Sequence, residues 1–225
     1  MLKKVGIVFS IFIIAILGYS FWVVFQATSY TDTVILKDYR KEKWRIYEGE
    51  KRSIALSKKD LSQKQIDWLL KVQDPRFYDH NGIDLSTPGA GLTTITQGIV
   101  KKLYFKEFKP GFRKYKQSII ARFVVNGRLK KNEQLEIFLN AAYMGNPNGN
   151  KIYGLSKASQ MYYKKPFNQL SDDEYLSLIA MLIGPDRFSI LEAPKKNKER
   201  VVRIKAVLTG KYKPRELTDV YYNRP

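Results

Sequence analysis

The sequence has no cysteine and a single histidine, His80. Without thiols there is neither a disulfide framework nor a thiolate metal site, and one imidazole cannot assemble the usual ligand set of a zinc centre. The missing disulfides say nothing about compartment, because many exported domains have none. Acidic residues are also scarce. Against 40 Lys and Arg there are 21 Asp and Glu, so the formal net charge is +19 and the pI is near 9.9. Such an excess calls for an anionic partner: nucleic acid, anionic lipid headgroups or a phosphorylated substrate. Internal repeats and low-complexity tracts are absent. The Thr-rich stretch at 91–98 lacks the Gly-Lys-Ser/Thr ending of a P-loop. Apolar residues make up 44% of 225, which suffices for one compact domain with a core and argues against a second.

Residues 5–25 carry no charge at all. A helix of about 20 apolar residues crosses the roughly 30 Å of a bilayer, so this run reads as a membrane anchor. Lys3 and Lys4 precede it and place the short tail, 1–4, on the cytoplasmic side by the positive-inside rule; Tyr19, Phe21 and Trp22 suit an interfacial belt at the outer end. A cleaved signal peptide is the competing reading, but its apolar region spans only about 7 to 15 residues, and Ala27-Thr28-Ser29 makes a poor cleavage site. Residues 26–52 read as a juxtamembrane connector with a short strand at 34–36, and 53–225 as the folded domain.

Ser62 followed by Gln65 is a capping box, and the apolar stripe Ile66, Leu69, Leu70 extends the helix to about Val72, leaving Gln73 at its end. Residues 74–92 contain Pro75, Gly82, Pro88, Gly89 and Gly91, a loop composition. Helices follow from Thr93 or Thr94 to Leu103, over 112–126, from a cap at Asn132, from the capping box Ser171 and Glu174 to Gly184-Pro185, and as a basic helix after Lys195. The fold class is therefore mainly α.

Residues 101–131 hold eleven basic side chains against Glu107 alone. That density is best stabilised by a polyanion or a diphosphate, although any single lysine there also reads as a solvated helix face. Backbone N–H groups, hydroxyls and the helix dipole at Thr93, Thr94 and Thr96 make an anion site or, equally, a capped helix start. His80 reads as a structural hydrogen-bonding residue as readily as a catalytic one. Asp74, Asp79 and Asp84 read equally as turn or capping residues.

These stretches together resemble the peptidoglycan glycosyltransferases, family 51. "QDPRFYDHNGID" is similar to the first family motif, Glu-Asp-x-x-Phe-x-x-His-x-Gly, through Asp74, Phe77, His80 and Gly82, with Gln73 at the Glu position. "GLTTITQGIVKKL" resembles the second, Gly-Gly-Ser-Thr-Ile-Thr-Gln-Gln with its trailing Lys, through Gly91, Thr94, Ile95, Thr96, Gln97 and Lys101. Thr93 stands for Ser there, while Leu92 and Gly98 depart. "FRKYKQ" resembles Arg-Lys-x-x-Glu, keeping Arg113 and Lys114 but holding Gln117 at the Glu position. The fourth motif is carried by Lys131, Leu135, Glu136, Leu139 and Asn140, the fifth by Gly154, Ala158, Tyr162 and Lys164 or Lys165.

The resemblance implies a lysozyme-like glycosyltransferase domain behind one transmembrane helix, on the periplasmic or outer face of the bacterial plasma membrane, working in cell-wall biogenesis. It implies that the first-motif Glu deprotonates the 4-hydroxyl of an acceptor sugar, which attacks the anomeric carbon of a donor chain on polyprenyl diphosphate. The third-motif Glu and the basic groups Lys101, Lys109, Arg113 and Lys114, with Thr93, Thr94, Thr96 and Gln97, face the leaving diphosphate. Asp74, Phe77, His80, Gly82, Glu136 and Asn140 hold the motifs in shape. No protein-held metal is expected, and a divalent cation at the diphosphate is implied by the resemblance alone. Partners are lipid II or a nascent glycan strand, the membrane, and cell-wall synthesis proteins.

Here both Glu positions are Gln, and an amide accepts no proton near pH 7. A positioned base contributes about 10²- to 10⁴-fold. The stretch 84–91 is also shorter than the family pattern leads one to expect. The sequence therefore points to a pseudoenzyme that folds and binds without polymerising. The alternative is an active polymerase using Asp74 or another carboxylate. A nucleic-acid or anionic-lipid module rests on charge alone, with no recognisable motif.

Overall fold

The computed structural model describes residues 2–47, 49, 51–109 and 111–223; Met1 and the side chains of residues 2–4 in the expected tail, Glu48 and Glu50 in the expected connector, Pro110, Arg224 and Pro225 lie outside it. Helix α1 (Leu2–Tyr30) runs without interruption through a π-turn (Thr31–Ile35) into α2 (Leu36–Tyr39). The strand expected at 34–36 is therefore helix. Val23, Ala27, Thr31 and Ile35, four residues apart, form a buried stripe. The Thr31 hydroxyl donates to Ala27 O at 2.6 Å and lies 2.7 Å from the Tyr104 hydroxyl. Burial of this stripe outweighs the β-propensity of Val34 and Ile35.

The outer surface of α1 is the opposite case. Val5, Phe9, Phe12, Ile14 and Phe21 are all exposed. The helix is long and apolar enough to cross a membrane from Val5 onward.

Strands β1 (Lys43–Arg45) and β2 (Lys51–Ser53) form one antiparallel ribbon, with Trp44 opposite Arg52. The rest is helical: a single turn at Lys58–Asp60, α3 (Gln63–Gln73), α4 (Ile95–Leu103), α5 (Phe112–Ile119), a π-turn (Ile120–Val125), α6 (Asn126–Arg128), α7 (Lys131–Ala141), α8 (Leu155–Tyr163), α9 (Asp172–Met181) and α10 (Pro194–Leu208). The capping boxes at Ser62 and Ser171 are made, and Thr94 caps α4 in the same way with Gln97. Asn132 is not a cap. Helix α7 begins one residue after Lys130, whose N–H is taken by the Glu133 carboxylate at 2.6 Å, and Asn132 Oδ1 instead accepts from Tyr78 and Lys58. Helix α9 ends at Met181, three residues before Gly184, whose N–H closes a turn on Met181 O.

Two apolar clusters hold these helices. One joins α3, α7, α8, α9 and α10 around Leu69, Leu135, Leu139, Leu178, Ile179 and Ile204. The other joins α1, α4, the π-turn and α7 around Val23, Val100, Ile120, Val124 and Ile137. Phe138 packs on both.

Candidate functional site

The long loop between α3 and α4 is held by one carboxylate. Asp74 is fully buried; its Oδ1 lies 2.8 Å from His80 Nε2 and its Oδ2 accepts from the Ile95 N–H at 2.9 Å, at the first residue of α4. The Gly82 N–H donates to His80 Nδ1 at 3.0 Å, so the imidazole proton sits on Nε2 and is donated to Asp74. Gly82 has φ +88°, and a Cβ there would lie 2.5 Å from Ala121 O, so only glycine fits. Phe77 is buried against the edge of His80. Thr94 then donates to Gly82 O at 2.8 Å, which closes the loop onto the start of α4. His80 and Asp74 thus form a structural clasp.

Asp84 ties its own turn, its carboxylate accepting from Ser86 and Thr87. Burial pushes its carboxyl up, but hydrogen bonds from Thr87 and Ser86 outweigh burial and hold it down at about 2.

Beside the clasp opens a cleft of about 450 Å³. Gln73, Thr93, Thr94 and Lys101 line it, as do Lys102 and Tyr143. Gln73 is half-buried, and its side-chain amide makes no hydrogen bond to another described residue. No Asp, Glu or His is among the described residues that line the cleft. Lys114 sits at its rim: Nζ donates to Leu92 O at 2.6 Å and to Thr93 Oγ1 at 3.1 Å. Burial, with the neighbouring Lys101 charge, lowers the Lys114 pKa to about 8. Lys101 and Lys102 are likewise depressed, chiefly by burial. Cations whose pKa is lowered in the free protein are ones that an incoming anion stabilises.

Other expected site residues lie elsewhere. Thr96 and Gln97 are buried beneath the cleft, Thr96 donating to Gln134 Oε1 at 2.7 Å and Gln97 Nε2 to Ser118 Oγ at 3.0 Å. Gln117 is fully buried and does not line the cleft. Its Nε2 donates to Gln97 O at 2.6 Å, and its Oε1 has no partner among the described residues. Lys109, on the turn before α5, and Arg113, in the first turn of α5, are both exposed, Lys109 paired with the Glu107 carboxylate and Arg113 donating to Glu107 O. Glu136 accepts from Tyr39 and from the Lys58 N–H. Asn140 has its amide fully used: Oδ1 accepts from Ala55 and Leu56 N–H, and Nδ2 donates to Leu56 O and Glu136 O. Both residues pin the segment entering α3.

Sequence reasoning missed one wall of the cleft. Thr218, Val220 and Tyr221 line it from the segment after α10, together with Arg200. That segment is tied to the loop: the Gly89 N–H donates to Glu216 O and the Gly91 N–H to Leu217 O, each at 2.8 Å. Nothing in the local pattern of these residues marks them.

A motif clasp, a helix start with lysines and a cleft in this order agree with the comparison against family models. Residues 42–209 match the model described as "Transglycosylase". The chain belongs to the transglycosylase family. This transglycosylase-family chain is 31% identical over 79% of its length to penicillin-binding protein 1A of Haemophilus influenzae, and 29% identical over 76% to penicillin-binding protein 1B of the same organism. It is 30% identical over 60% to penicillin-binding protein 1B of Escherichia coli. The matches cover only 22%, 24% and 17% of those relatives, so the chain spans about a fifth of their length. Among the described residues no group of three or more His, Asp or Glu comes together, and the described lining carries Lys101, Lys102, Arg200, three threonines and one side-chain amide, Gln73.

Proposed function

We propose that this chain is a membrane-anchored, transglycosylase-like protein of cell-wall biogenesis that binds lipid II or a nascent glycan strand and does not polymerise it. The observation that carries this reading is the cleft itself, which bears Gln73 where a base is needed and, among the described residues, no carboxylate or imidazole on its lining. The lysines Lys101, Lys102 and Lys114 supply fixed positive charge suited to a diphosphate, and Thr93 and Thr94 supply hydroxyl and backbone groups at the start of α4. Asp74 is a poor substitute base. It is buried, with one oxygen on His80 and the other on Ile95 N–H.

Helix α1 is the anchor, and Lys3 and Lys4 orient the domain to the periplasmic or outer face of the plasma membrane. Other cell-wall synthesis proteins are further partners on this reading. The net charge also favours anionic lipid, while no nucleic-acid-binding motif accompanies it.

The test measures lipid II binding and polymer formation in one preparation of the full chain in detergent or bilayers. Saturable binding with no polymer is expected. A Gln73→Glu chain should raise turnover from the background, because a positioned base contributes about 10²- to 10⁴-fold. Polymer made by the unsubstituted chain would sink the non-polymerising reading, and absence of binding would sink the binding reading.

A further inference from the structure

Arg200, on α10, is only 1% exposed, yet it lines the cleft. Its Nε donates to Ala180 O at 3.2 Å and its Nη1 to Val220 O at 3.0 Å. A guanidinium carries five N–H donors, and among the described residues Arg200 has no further hydrogen-bond acceptor and no ion pair. Its faces meet the rings of Phe188, Tyr222 and Tyr221, with the guanidinium carbon 5.2, 5.4 and 6.0 Å from their centroids. The buried carboxylate nearest in sequence to its Val220 contact, Asp219, is held by the Tyr212 hydroxyl and the Arg215 N–H. Among the described residues, burial and the like charges of Arg203 and Arg187 act against the Arg200 cation, while Tyr222 and Tyr221 act in its favour.

A charge removed from water without a counter-ion is costly, by several kcal/mol per ion in proteins. Contacts with ring faces and two carbonyls offset part of that cost. A clamp between α9, α10 and the C-terminal segment needs only the two donors already used. The remaining donors and the uncompensated charge belong to a residue on the cleft lining.

We propose that Arg200 is the anion-recognising residue of a second subsite in the cleft, distinct from the lysines of α4 and α5, and that it takes a carboxylate or phosphate oxyanion of the bound ligand. The planar fork of the guanidinium suits two-point binding of either oxyanion. Attribution of that anion to a glycan-lipid ligand rests on the function proposed above. The anion site itself does not.

The full chain in detergent is titrated at constant ionic strength with inorganic phosphate and, separately, with acetate, reading affinity and the Arg200 Nε–H resonance. Saturable binding of one anion is expected, and the arm that binds identifies the oxyanion. Arg200→Lys and Arg200→Gln should weaken it by about tenfold or more, the scale of a lost charge-assisted two-point contact. In a Lys101→Ala, Lys114→Ala chain, whose total anion binding falls by whatever those lysines hold, the Arg200 Nε–H resonance should still move on titration. No saturable binding by the wild-type chain overturns the proposal, as does binding lost in the lysine variant but kept in the Arg200 variants. Should the Arg200 variants fail to fold, the wild-type resonance decides: a signal unmoved by both anions overturns the site. Anion binding at Arg200 without lipid II binding would reject the proposed function and leave this subsite standing.

Discussion

Gln117 donates its amide hydrogen to the carbonyl of Gln97 from a fully buried position. A carboxylate there would face that carbonyl without a proton to share, so Gln117→Glu should destabilise the fold by about 1–3 kcal/mol at neutral pH, the cost of an unsatisfied buried group. The sign with pH follows. Burial and the carbonyl raise the new carboxyl's folded-state pKa above its unfolded value, so the folded state binds the extra proton. The variant is then close to wild type below the unfolded pKa and loses stability as pH rises. Denaturant unfolding at pH 4 and pH 7 checks this, and an equal deficit at both would contradict it. Consequently Gln73→Glu alone is the cleaner probe of catalysis, because Gln73 has no comparable bond to lose.

At the scale of elements, the C-terminal segment and the loop at 84–91 act as one unit. Gly91 has φ +73°, and a Cβ on it would stand 2.9 Å from Val220 Cγ1, while its N–H is bound to Leu217 O. Gly91→Ala should therefore cost about 1–2 kcal/mol from backbone strain alone, and the contact adds to it. Adding Val220→Ala should recover only the contact part. Thermal unfolding of the two chains separates the contributions, and full recovery in the double variant would show that the backbone conformation carries no strain. The caps of α3, α4 and α9 were legible because a Ser or Thr and the Gln or Glu three residues later lie within one turn. The start of α7 was not. Asn132 has the right chemistry for a cap, but its side chain is claimed by Lys58 and Tyr78, residues remote in sequence.

For the whole molecule, α1 is both an apolar exterior and part of the domain core. Val23 and Ala27 are buried, Tyr19 meets Phe112 at 5.0 Å between ring centroids, and Ser20 Oγ lies 2.8 Å from the Tyr115 hydroxyl. A chain begun at Thr31 should lose about 2–4 kcal/mol from the uncovered seam, mostly from Val23 at roughly 25 cal/mol per Å². Its chemical unfolding midpoint should fall below that of the full chain. Equal midpoints would mean that α1 is a detachable stalk.

The sequence by itself determined the mainly helical class, the charge-free N-terminal span, the end of α3 at Gln73 and the motif order that marks the family. Each of these is written in residues a few positions apart, where helical periodicity and capping act. Only the tertiary structure decided that Gln117 is buried under the cleft, that Lys109 and Arg113 stand exposed outside it, and that Arg200 and the segment after α10 complete its wall. Tyr222 donates its hydroxyl to Val72 O, beside Gln73 and across nearly the whole domain. Contacts at such separation depend on how the two apolar clusters assemble, and no local spacing encodes them.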